Sequence, residues 1–116
     1  MLQAHGAHYI SGHDHMHEHM LHDGVHMIVA GPGKECCYKP THLSTVPDGA
    51  MQYMISGLHA SGEGVGPKPQ SKVLSGFSSM RFDDDAVNIM LHKEDGEVLY
   101  TTTPITRRSL AVVEEA

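Results

Sequence analysis

Eleven histidines occur in 116 residues, and eight of them fall between His5 and His26. Four alternate through Gly12-His13-Asp14-His15-Met16-His17-Glu18-His19. Imidazole is the commonest protein ligand for transition metals, and packing alone does not require such crowding. The chemistry within reach is therefore metal binding, and the tightest unit of the run is Gly12-His13-Asp14-His15. His13 and His15 are the candidate metal ligands. Asp14 could orient a neighbouring imidazole or could simply hold a turn. His17 and His19 fit exposed positions, or positions behind the ligands, better than ligation. His5, His8, His22 and His26 read as surface or packed side chains. Glu18 could act as a proton donor, although a solvated strand residue is the simpler reading.

These residues must be carried by something. Met1 to Gly6 reads as the last turn of a helix with a left-handed cap at the glycine, a piece too short to stand alone. Ala7 to Ser11 reads as a short buried strand whose end delivers the His-Asp-His unit into a loop, where functional groups collect in open α/β sheets. A spacing of two in extended backbone would send the rings of His13 and His15 to one side. Glu18 to Leu21 and Val25 to Ala30 flank His22-Asp23-Gly24, and Asp-Gly between apolar segments is a strong hairpin signal. Gly31-Pro32-Gly33 then closes the second strand.

From Lys34 to Ser75 the chain is rich in glycine and proline and is expected to be mostly loop, with a short strand at Met51 to Ile55. Ser56 to Ser71 reads as a mobile excursion that does not pack. Gly76 to Phe82, Ala86 to His92 and Glu97 to Thr103 spell a three-stranded antiparallel meander, with Asp83-Asp84-Asp85 as a charged turn rather than a calcium loop. Pro104 ends the last strand, and residues 109–116 form a flexible tail. Cys36 and Cys37 are adjacent; neighbours of this kind rarely bridge, which leaves the redox compartment open.

Composition sets bounds. The chain is 40% hydrophobic and 19% charged, as expected of one globular domain, and its eight methionines and 5% aromatic content imply an adaptable core. A formal net charge of −6 argues against nucleic acid as a partner. No run approaches the ~20 apolar residues that cross a bilayer, so no membrane role is expected.

The order of elements resembles the C-terminal part of the purple acid phosphatases, closest to the small tartrate-resistant type within the calcineurin-like metallophosphoesterase superfamily. The likeness rests on Ala7-His8-Tyr9-Ile10-Ser11-Gly12-His13-Asp14-His15, on Asp23-Gly24-Val25-His26-Met27-Ile28-Val29-Ala30-Gly31, and on Ser75-Gly76-Phe77 with Gly96-Glu97-Val98-Leu99-Tyr100. It implies an α/β metallophosphoesterase sandwich of which residues 1–108 supply the C-terminal part, mostly antiparallel β with long loops. It also implies a dinuclear metal centre, iron with zinc, iron or manganese, in which His13 holds the divalent ion and His15 the ferric ion. The substrate would be a small phosphomonoester, whose phosphate the backbone of Gly31-Pro32-Gly33 would approach, which makes Gly31 and Gly33 candidates for a substrate loop. The parent protein would be secreted or lysosomal.

The family's remaining ligands come from upstream motifs not found before Ala7. The resemblance therefore implies a fragment that needs the N-terminal remainder of its domain and is inactive alone. Met16 stands where the small enzymes tend to carry a polar residue. The alternative is a small non-enzymatic protein whose many histidines share Zn²⁺ or Cu²⁺; a β module that docks on a partner is a third possibility.

Overall fold

The computed structural model describes residues 4, 6–33, 36, 43–55, 64–67 and 73–106. Over these residues the chain forms two β-sheets and a single 3₁₀ turn, Leu43–Thr45, and no α-helix. The first sheet contains β1 (Tyr9–Ser11), β2 (His17–His22), β3 (Val25–Ala30) and β4 (Met51–Ile55), in the order β1-β3-β2-β4. The second contains β5 (Gly76–Phe82), β6 (Ala86–Lys93) and β7 (Val98–Thr101) as a meander, with β8 (Ile105–Thr106) returning to the far end of β6. The architecture is thus mostly β, as the sequence suggests. The last strand differs in two respects: β7 stops at Thr101, before Pro104, and Ile105 just beyond the proline pairs with Val87 as β8.

The β2–β3 hairpin forms because Asp23 and Gly24 accept positive φ, at 51° and 76°, the geometry that matches the twist of the flanking strands. Its register sets His22 against Val25 and His17 against Ala30. Since side chains alternate along a strand, this register puts His17, His19, Ile28 and, on β4, Tyr53 and Ile55 on one face of the sheet. That face meets Val87, Ile89, Leu91, Tyr100 and Ile105 of the second sheet, and the contact is the core. The opposite face carries Glu18, Met20, Met27, Val29 and Met54.

Three expectations are corrected. β1 pairs parallel to β3 as an edge strand, and Tyr9 and Ile10 are 52% and 46% exposed rather than buried, because β3 covers only one of its sides. Residues 64–67 do pack: Val65 bridges to Met54, and Gly64 lies so close that a Cβ there would sit 2.6 Å from the Met54 carbonyl oxygen. The rest of the Ser56 to Ser71 segment lies outside the described residues, as do residues 1–3 and 5 of the expected Met1 to Gly6 helix end and the whole of the expected tail, 109–116. Cys36 is disulfide-bonded, its partner lying outside the described residues, so it is no free thiol; its N–H donates to the Leu74 carbonyl.

Candidate metal centre

β1 ends at Ser11, and the chain turns at once through Gly12 to Met16 before entering β2. Two short backbone bonds hold this loop, from Asp14 N–H to the Gly12 carbonyl at 3.0 Å and from Met16 N–H to the Asp14 carbonyl at 2.8 Å. His13 has φ 76°, which is uncommon for a residue with a side chain. The backbone between the two candidate ligands is therefore bent, and the extended-strand argument for aiming both rings to one side does not apply. The turns place the rings instead.

The loop rests on Gly31. A Cβ at that position would collide with the Asp14 carbonyl and lie 3.2 Å from the His13 nitrogen, and Gly31 N–H itself donates to the Met16 carbonyl at 3.2 Å. The close approach that glycine permits here is thus between the end of β3 and the histidine loop. Gly33 is exposed with open space around it.

His13 is 97% exposed at its side chain, with Nδ1 3.6 Å from the Asp14 carboxylate, a contact in water rather than a buried orienting bond. His15 is half-buried, and its Nδ1 is sealed from solvent. Glu18, half-buried on the outer face of β2, has its carboxyl pushed above the usual range by burial and by the nearby Asp14 charge. Among the described residues no three of His, Cys, Asp and Glu converge as a metal site. His13 and His15 can supply at most part of a ligand set.

Of the two placements expected for His17 and His19, exposed or behind the ligands, burial rules out the exposed one. β2 lies between β3 and β4, so its inward face is covered by the second sheet, and both imidazoles point into that interface. His17 Nε2 lies 3.0 Å from the His92 carbonyl, and because a carbonyl only accepts, this nitrogen must donate. The other nitrogen, Nδ1, is buried without a hydrogen-bond partner, and burial is the main reason the ring resists protonation. His19 is 2% exposed and makes two bonds: Nδ1 to the Tyr100 hydroxyl at 2.8 Å and Nε2 to Nδ1 of His26 at 2.9 Å. Its pKa falls to about 4, chiefly through burial and then through the His26 ring.

The cluster extends further. His26 stacks on His19 with centroids 5.1 Å apart, and its backbone N–H donates to His8 Nδ1 at 3.0 Å. Tyr53 stacks on Tyr100 at 4.5 Å, and its buried hydroxyl is pushed up to about 12 by desolvation and by the Tyr100 ring. His92, on the outer side of β6, stacks on Phe77, accepts from or donates to the Ser79 hydroxyl at 2.7 Å, and meets the Gly96 carbonyl at 3.1 Å. His8 and His26 are thus packed, whereas His22 is exposed beside Asp23. The signal that could have located His17 and His19 was parity: both share the face of Ile28 in a hairpin whose register the Asp-Gly turn fixes.

The run of histidines is therefore two structures. One is a surface loop that carries an exposed ring, His13, and a half-buried one, His15; the other is a polar seam inside the sandwich. Compared with models of known protein families and with curated protein sequences, the chain matches none.

Proposed function

We propose that the chain is the C-terminal portion of a dinuclear-metal acid phosphatase that hydrolyses phosphomonoesters, and that it contributes two ligands, His13 and His15. The observation that carries this reading is the placement of Gly12-His13-Asp14-His15 in a tight loop at the C-terminal end of a parallel strand, propped by Gly31. Strand ends of this kind are where open α/β sheets present their functional groups. Support also comes from the outer face of the first sheet. Met20, Met27, Val29 and Met54 make that face largely apolar, with Glu18 and His22 its polar members, as suits a sheet with parallel pairing and a layer packed on each side.

On this reading the fold is the C-terminal part of a metallophosphoesterase sandwich. A pair of bound ions would supply an activated water and a clamp for phosphoryl oxygens. The residues of this chain have a narrower task. His13 and His15 would each offer a ring nitrogen, the Asp14 and Met16 backbone bonds would hold the loop, and Gly31 would fix its height over β3. The ligands still required belong to the N-terminal remainder of the domain, so the chain alone is inactive.

The reading is tested by sequencing the transcript upstream of the Met1 codon. The expected result is an open frame that encodes a Gly-Asp motif, an Asp with a nearby Tyr, Gly-Asn-His and a further His. An in-frame stop with none of these before it would overturn the assignment. The alternative, diffuse Zn²⁺ or Cu²⁺ binding by many histidines, has fewer rings to draw on, because His17 and His19 are in the core.

A further inference from the structure

We propose that His19 is an acid-released latch: its bond to Tyr100 fastens the strand bearing the Gly12–Met16 loop to the second sheet at neutral pH, and it is driven from its place when both it and its neighbour in the same sheet, His26, gain a proton. The inference does not depend on the phosphatase reading. It rests on the geometry of one buried contact.

His19 Nε2 and His26 Nδ1 are 2.9 Å apart, so one N–H must lie between them and the other nitrogen must accept it. On its far side His19 meets the Tyr100 hydroxyl, which can either donate or accept. A first extra proton on His19 can thus be accommodated by turning the tyrosine hydroxyl. A second cannot, because two N–H groups would then point at each other across the same gap, between two cations stacked at 5.1 Å. His19 is almost wholly cut off from water, so no hydration on its side relieves the repulsion. In the unfolded chain the two rings take up protons independently.

The groups that face His19 are His26 from β3, Tyr53 from β4 and Tyr100 from β7, with His17 two residues along the same strand and His8 behind His26. These are neutral or cationic in acid, and the nearest carboxylate on β2, Glu18, is on the opposite face. The low pKa of His19 agrees with this arrangement. Because β2 runs directly out of the loop, release of His19 would free the histidine loop as well as part the sheets.

The test is the pH dependence of unfolding for the full chain and for His19→Gln, which retains hydrogen-bonding groups and does not titrate. Each proton taken up on unfolding changes the equilibrium constant about tenfold per pH unit. Between pH 6.5 and about 4, His19→Gln is expected to lose at least one such factor relative to the natural chain, while His13→Gln keeps the full slope. An unchanged slope in His19→Gln would overturn the latch. Should that variant not fold, long-range ¹⁵N NMR of the natural chain decides the matter. A scalar coupling from His19 Nε2 to His26 Nδ1 at neutral pH, lost in acid together with amide protection in β2 and β7, supports it. Independent titration of His19 near 6.5 with both sheets intact rejects it.

Discussion

His13 and His19 are six residues apart and chemically identical, yet one is almost wholly in water and the other almost wholly out of it. The difference lies in what each ring is asked to replace. His13 stands on a bent loop where its nitrogens remain hydrated and available, so nothing in the fold depends on its bonds. His19 has exchanged water for Tyr100 and His26, and its loss would take a hydrogen bond from each of them. A histidine-rich run therefore divides by strand parity and loop geometry, and abundance of imidazole does not by itself make a ligand set.

The largest contrast should come from truncation. His19→Ala removes a core ring together with its hydrogen bonds to His26 and Tyr100, at a cost of roughly 2–5 kcal/mol. His13→Ala should fall within about 0.5 kcal/mol of the natural chain. Chemical denaturation of both variants at pH 7 measures the contrast, and equal effects would break it.

Gly31→Ala probes the support of the loop. The new methyl group would overlap the Asp14 carbonyl, and the displacement should cost about 1–3 kcal/mol and alter the His13 and His15 NMR signals while leaving those of His19 in place. Unmoved loop signals would show that Gly31 does not hold the loop.

The pH response has a definite sign. The folded value for His19, about 4, lies below the unfolded 6.5, so the unfolded chain binds more protons in that window. Stability from this source is complete above pH 6.5 and is lost as the pH falls toward about 4. Denaturation midpoints across that range should therefore drop on acidification. Glu18 acts the other way, since its raised pKa penalises the charged form at neutral pH. Glu18→Gln is expected to stabilise the chain at pH 7 by about 0.5 kcal/mol. A loss of stability would mean that the carboxylate makes a favourable contact.

Much of the fold was legible before the structure. Asp23-Gly24 announced the hairpin, Asp83 announced a turn that it closes by accepting from the Asp85 and Ala86 N–H groups, and the meander strands fall where their β-rich stretches suggested. Burial was less legible, because it depends on the second sheet. Nothing local in Tyr9-Ile10-Ser11 reveals that β1 is a half-covered edge, and nothing local in His17-Glu18-His19 reveals that tyrosines from residues 53 and 100 will stack beside it. The candidate ligands were visible as residue types. Their loop conformation was not, since a positive φ at His13 arises from how Gly31 and Met16 tie the loop to β3.

The division between loop and core is tested most directly by adding Zn²⁺ to the full chain at pH 7 while following the imidazole ¹⁵N signals of all histidines. The account predicts that His13 and His15 respond first and together, that His17, His19 and His26 do not move, and that His13→Ala with His15→Ala weakens binding roughly tenfold or more, about 1.4 kcal/mol. Early shifts at His19 and His26, or binding untouched by the double substitution, would contradict it.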